Sequence, residues 1–231
     1  MGSDVEIKEV AADELHTEVL PAETQQAFQA CIALQFLLPD WYLAGGTALA
    51  LQIGHRSSED LDFFTKLKEF DIEALDQAFS SVPGDWATTQ TQKGTLYGIF
   101  HGAKMSFISY PFFNPSTARL QCGAIRILVP DDIMVMKVLA ISQRGRKRDF
   151  VDMYWYCAIK GASLAETMRR ALAQFPGKQH NVPHLVKSLA YFEDAEDDPM
   201  PRLHFEADWE GIKEYFRREV PLIAEDLLDL N

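Results

Sequence analysis

The stretch LAGGTALALQIGHRSSEDLDFF, from Leu43 to Phe64, decides how the rest of the chain is read. An apolar run ends in Gly45 and Gly46, strong helix formers follow, and Gly54 stops them. That pattern predicts a short buried strand, a glycine turn and a helix. Further on, DLDFFTK alternates acidic and apolar positions, which predicts a strand with Asp60 and Asp62 on one face and Leu61 and Phe63 on the other. Two carboxylates on one face repel each other unless a cation sits between them. Their hard oxygens suit divalent ions such as Mg²⁺, held against nucleotide phosphates. The glycine turn lets backbone approach a ligand, the free amides of the helix start favour a phosphate, and Thr47 adds a hydroxyl. A lone Gly-Gly or Asp-x-Asp is an ordinary turn or strand mouth; the two at this distance are far more specific, and they make one site only if their strands are neighbours.

Composition limits the alternatives. A chain of 231 residues, 47% hydrophobic and 11% aromatic, can bury one good core or a main domain with a smaller one. Cys31, Cys122 and Cys157 show neither CxxC nor Cys/His spacing, which argues against a structural zinc and a disulfide framework and fits a reducing cytosol. The acidic N-terminus lacks the features of a signal peptide, and no apolar run reaches membrane-span length, so a soluble cytoplasmic protein is expected. The opening MGS reads equally as native or as a vector-derived scar. A net charge of −12 opposes wrapping of bulk DNA or RNA. One basic run, QRGRKRDF, gathers Arg144, Arg146, Lys147 and Arg148; taken alone such a run is ordinarily a solvated helix end.

The pattern predicts an α+β protein: an N-terminal extension over 1–22, a mixed-sheet core flanked by helices over 23–130, and a helical region over 131–231. ETQQAFQACIALQFL has apolar residues at helical spacing, and DIEALDQAFSSV reads as a second helix. DWATTQTQ, TLYGIF, KMSFISY and AIRILVP read as strands, the first three joined by tight turns. From Asp131 the periodicity is helical in DDIMVMKVLAISQRG, KRDFVDMYWYCAIKG, SLAETMRRALAQF, HLVKSLAYF and EADWEGIKEYFRREV, with EDAEDDPMPR as an exposed connection.

The Leu43–Phe64 stretch resembles the signature of the AbiEii/AbiGii toxin-type nucleotidyltransferases, a branch of the DNA polymerase β-like nucleotidyltransferase superfamily. DDIMVMKVLAISQRGRKRDFVDMYWY is similar to that family's later region, where a helical lysine, a basic segment and an R/K-D-x-x-D element follow the core. The resemblance spans Trp41 to Tyr156. It implies a nucleotidyltransferase-like fold and a Mg²⁺-dependent enzyme, with a one- or two-metal site, that moves a nucleoside monophosphate from a nucleoside triphosphate to an RNA (tRNA) or protein acceptor. It also implies the toxin half of a toxin–antitoxin pair, with a cognate antitoxin as partner. It assigns Gly45, Gly46 and Thr47 to phosphate binding, Asp60 and Asp62 to metal ligation and catalysis, and Lys137 to the triphosphate. Asp149 and Asp152 complete the later motif, Asp152 with a catalytic part. Arg144 and Arg148 are further sources of positive charge. Each also has an ordinary reading: a helical lysine at the surface, and RDFVD as a helix start with Asp149 near the positive end of the dipole.

One departure matters. Superfamily members commonly add a third carboxylate from a nearby strand, and the corresponding position in GAKMSFISYPF holds Ser106, a poor base and a weak Mg²⁺ ligand. Glu59 is turned away from Asp60 by strand alternation. Ser106 therefore favours an alternative, a catalytically degenerate nucleotide- or partner-binding regulator; a phosphate-releasing hydrolase built on the Asp pair is a third reading. His55 and Arg56 sit between the glycines and the acids, where Arg56 either contacts the nucleotide or makes ordinary loop contacts. His101, His180, His184 and His204 show no ligand spacing, and Tyr154, Trp155 and Tyr156 read as core or interdomain contact.

Overall fold

A computed structural model describes residues 6–116, 118–176 and 181–228. The chain divides into two compact units, Met1–Val129 and Pro130–Asn231.

The first unit is built on a mixed sheet. Its strands are β1 (Glu6–Glu9), β2 (Trp41–Ala44), β3 (Leu61–Thr65), β4 (Ala87–Gln92), β5 (Thr95–Phe100), β6 (Ala103–Ser109), β7 (Ala118–Cys122) and β8 (Ile125–Leu128). They lie in the order β1-β7-β8-β2-β3-β6-β5-β4. β2 runs antiparallel to β3 and parallel to β8, and β3 runs parallel to β6. Helices α1 (Ala22–Cys31), α2 (Gly45–Ile53) and α3 (Ile72–Ser80) complete the unit. β3 alternates as its sequence predicts: Leu61, Phe63 and Thr65 are buried while Asp62 and Phe64 are half-exposed.

Three features depart from the sequence pattern. The apolar run after Cys31 does not extend α1, because the Ile32 carbonyl accepts instead from Ala124 N at 2.7 Å in the β7–β8 turn. The segment over 1–22 supplies β1, an edge strand with every residue exposed, paired in parallel with β7. β7 itself, ARLQC, has no apolar alternation to announce it and is defined by its antiparallel ladder with buried β8.

The core beneath the sheet is aromatic. Phe107 on β6 stacks on Phe63 at 5.2 Å and meets Trp41 and Phe79, each at 5.1 Å; Phe79 in turn stacks on Trp86 at 4.6 Å. These offset and edge-on pairs add to ordinary apolar burial.

In the second unit α4 (Pro130–Arg144), α5 (Lys147–Tyr154), α6 (Leu164–Gln174), α7 (Val182–Ser188), α8 (Glu193–Glu196) and α9 (Trp209–Leu228) pack around Phe150, Phe192, Trp209 and Phe216. α5 widens into a π-turn over Trp155–Ile159. Its aromatic run is packed inward: Tyr154 meets Tyr215 at 5.3 Å, and Tyr156 hydrogen-bonds Asp131. The segment expected as an exposed connection is largely exposed, but it also forms α8 and is anchored through its acids. Asp198 accepts from Arg146 Nη1 at 2.6 Å and from the Lys147 backbone N at 3.1 Å, placing a carboxylate at the positive end of α5. Glu196 accepts from Trp209 Nε1 at 2.9 Å and pairs with Lys213 at 2.8 Å.

Phe107→Ala should cost about 3–5 kcal/mol in urea unfolding, because a fully buried ring in contact with four other aromatic side chains leaves a cavity that flat rings fill poorly.

Candidate functional site

The antiparallel register of β2 and β3 sets Ala44 opposite Asp62. The next residue, Gly45, has φ +72 and starts α2, and a Cβ placed on it would lie 3.0 Å from Asp62 Oδ2. Any other residue would be strained there and would press on the carboxylate. A Cβ on Gly46 would lie 2.2 Å from Arg56 Nη2, so this glycine makes room for a guanidinium that is itself 2% exposed and donates to the Ser57 carbonyl. The paired glycines thus bring the first amides of a nine-residue helix beside one aspartate and one arginine.

The loop between Arg56 and β3 is pinned from two sides. Thr47, 2% exposed, lies 2.8 Å from Ser58 Oγ and donates to the Asp60 carbonyl. Thr24 on α1 donates to the Glu59 carbonyl at 2.7 Å. The Thr47 hydroxyl is therefore engaged in setting the entry to β3, and with it the position of Asp60. The sequence reading missed Thr24 and Ser58; only their convergence on one loop marks them.

Ser106 stands next to Asp62 in the parallel β3–β6 register, and its Oγ donates to Asp62 Oδ1 at 2.5 Å. Ala44, Asp62, Ser106 and Tyr97 form one row across β2, β3, β6 and β5. Among the described residues no three His, Cys, Asp or Glu side chains are grouped to hold a metal. β3 begins at Leu61, so Asp62 lies on the strand and Asp60 one residue before it rather than within it. Two carboxylates as donors would suit Mg²⁺, which keeps several waters and takes its remaining oxygens from substrate phosphates, and would suit poorly an ion that needs a full protein cage.

In the second unit Lys137 is not at the surface. Its Nζ lies 2.6 Å from Asp149 Oδ1 and 2.7 Å from Asp152 Oδ2, and all three residues are buried. The three-residue spacing of Asp149 and Asp152 puts both carboxylates on the α5 face toward Lys137. Asp149 Oδ2 has no hydrogen-bond partner. Arg144, at the end of α4, and Arg148, on α5, are exposed, whereas their neighbours Arg146 and Lys147 serve the Asp198 and Glu196 anchors. The site residues read from sequence therefore fall into two sets: Gly45, Gly46, Thr47, Arg56, Asp60 and Asp62 in the first unit, and Lys137, Arg144, Arg148 and Asp152 in the second. Of the histidines, His55 is buried, His184 Nε2 lies 2.9 Å from the Ser142 carbonyl, and His180 lies outside the described residues.

The thiols offer no nucleophile. Burial raises the pKa of Cys31 well above its ordinary value and pushes Cys157 up to about 12, so neither forms thiolate near neutrality.

Two stability measurements check this geometry. Gly45→Ala should lose about 1–2 kcal/mol in urea unfolding from left-handed backbone strain, in addition to its contact with Asp62. Lys137→Ala strands two buried carboxylates and should lose about 3–5 kcal/mol.

Comparison with known proteins agrees with this architecture. The family model for the nucleotidyl transferase AbiEii toxin of type IV toxin–antitoxin systems matches residues 26–229. An uncharacterized protein of Aquifex aeolicus (strain VF5) is 34% identical over 204 residues, covering 87% of this chain and 96% of its own. Among solved structures, the nucleotidyltransferase toxin MenT4 of Mycobacterium tuberculosis H37Rv superposes with a TM-score of 0.58 at 14% identity, covering 89% of this chain and 86% of that one, a likeness of fold. Matched over most of its length, with the glycine turn at the end of β2 and Asp62 on neighbouring β3, the chain belongs to the AbiEii nucleotidyltransferase toxin family.

Proposed function

We propose that the first unit carries a Mg²⁺-dependent nucleotidyl transfer centre that uses a nucleoside triphosphate. The observation that carries this reading is the close approach of Gly45 to Asp62, which sets the start of α2 beside that carboxylate. The amides after Gly45 and Gly46 receive the phosphates, with Arg56 behind Gly46 adding positive charge. Asp60 and Asp62 hold the divalent ion, which when bound neutralises charge on the transferring and departing phosphates. In the reaction an acceptor hydroxyl oxygen bonds to the α-phosphorus as the bond to pyrophosphate breaks, and the hydroxyl proton leaves to a carboxylate or to water. Ser106 orients Asp62 by donating to its Oδ1, and Oδ2 lies on the Gly45 side.

In the second unit Asp149 and Asp152 hold the buried Lys137, and the exposed Arg144 and Arg148 supply positive charge. The acceptor is an RNA or protein hydroxyl, and a cognate antitoxin is the expected partner. Ser106 beside Asp62 supports one second reading, a nucleotide-binding regulator without turnover.

The test is transfer of label from each α-labelled nucleoside triphosphate into cellular RNA and protein with Mg²⁺. Wild type should label one acceptor class, and Asp60→Ala/Asp62→Ala should lower labelling about 100-fold or more. No labelling by folded wild-type protein that still binds Mg²⁺ and nucleotide would overturn the enzymatic reading in favour of the regulator.

A further inference from the structure

A pocket of about 260 Å³ opens in the first unit at the end of β2 and β3 away from Asp60, with Ile7, Tyr42, Lys66, Leu67, Arg119 and Arg126 among its walls. Three cations converge there in a chain of net charge −12, against one lining acid, Asp40. Arg126 donates from Nη1 to the Pro39 carbonyl at 2.6 Å, and its buried Nε has no hydrogen-bond partner. Lys66 donates to Asn114 Oδ1 at 2.8 Å, a neutral acceptor. Neither pairs with a carboxylate among the described residues. A half-buried guanidinium with an unsatisfied N–H and no counter-charge is costly unless an anion completes it.

The sheet register ties this pocket to the candidate centre. Arg126 pairs with Tyr42, Tyr42 is two residues before Ala44, and Ala44 pairs with Asp62, so Arg126 and Asp62 share one face. Two strand spacings and a two-residue rise separate them by about 12 Å, the span of a dinucleotide backbone. Half-exposed Phe64, stacked on Tyr42 at 6.2 Å and meeting Tyr110 at 5.7 Å, lies on that face two residues along β3 from Asp62 and level with Arg126. A cationic pocket beside an aromatic surface is the arrangement that holds a single strand through its phosphates and bases.

We propose that this pocket binds a backbone phosphate of a single-stranded nucleic-acid end, with Arg126 and Lys66 as phosphate ligands, Phe64 beneath a base and the terminal hydroxyl directed to Asp62. The assignment rests on the transfer reading above and makes the acceptor an RNA strand rather than a protein.

The test uses the full chain and a fluorescein-labelled six-residue oligouridylate, followed by anisotropy across a salt series, with Mg²⁺–nucleoside triphosphate and inorganic phosphate titrated separately. Arg126→Gln should weaken oligonucleotide binding about tenfold and lower the salt slope by about one, while Mg²⁺–triphosphate affinity, which also reports the fold, stays unchanged. Arg126→Lys should retain most of the binding. Lys66→Gln, at an exposed side chain, repeats the test without disturbing the sheet. Unchanged affinity and slope in Arg126→Gln and Lys66→Gln would overturn the proposal. So would loss of inorganic phosphate binding alone, which would assign the pocket to a free phosphate. Arg126-dependent strand binding without label transfer would keep this site and remove the transfer reading; transfer to RNA with Arg126-independent binding would do the reverse.

Discussion

The contact between Gly45 and Asp62 is the constraint on which the candidate centre depends. An antiparallel β2–β3 pair sets Ala44 opposite Asp62, and the following residue must turn into α2 without meeting the carboxylate. A residue without a Cβ, held at φ +72, does both. The same turn commits Gly46 to Arg56, Thr47 to the Asp60 carbonyl, and so the whole 56–60 loop to one path. The helix start, the placement of the Asp62 carboxylate beside it and the loop conformation are consequences of one close approach.

The second unit solves a different electrostatic problem. Among its described residues three internal cations are each matched by two acids: Lys137 by Asp149 and Asp152, Lys213 by Glu196 and Glu210, Arg170 by Asp131 and Asp132. Burial raises the Asp131 carboxyl, but hydrogen bonds from Tyr156 and Arg170 outweigh it and leave its pKa below the ordinary value. The basic run at 144–148 is thereby divided, with Arg146 and Lys147 spent on holding α8 and its flank while Arg144 and Arg148 face solvent. A charge run in sequence says nothing about that division, because acids some fifty residues away decide it.

Much of the candidate site was legible. The alternation in DLDFF placed Asp62 on the half-exposed face and Leu61 and Phe63 in the core, since a strand buried on one side must alternate. Gly54 closes α2 in the left-handed conformation, as the stop pattern predicts. Less legible were β1 and β7, whose polar sequences earn their place only through pairing, and the early end of α1, where a tertiary hydrogen bond to Ile32 replaces a helical one. Thr24, Ser58, Arg126 and Lys66 carry no motif and were found only where the fold gathers them.

The sequence by itself determined most of the core strands and helices, the glycine turn, the aspartate pair and the family resemblance, because each is a local pattern of residue type and period. Only the tertiary structure decided which strands are neighbours, that Ser106 donates to Asp62, that Lys137 is enclosed by two carboxylates, and that Arg126 shares a sheet face with Asp62. These depend on register and on pairs of side chains far apart in the chain, and no local period encodes such pairs.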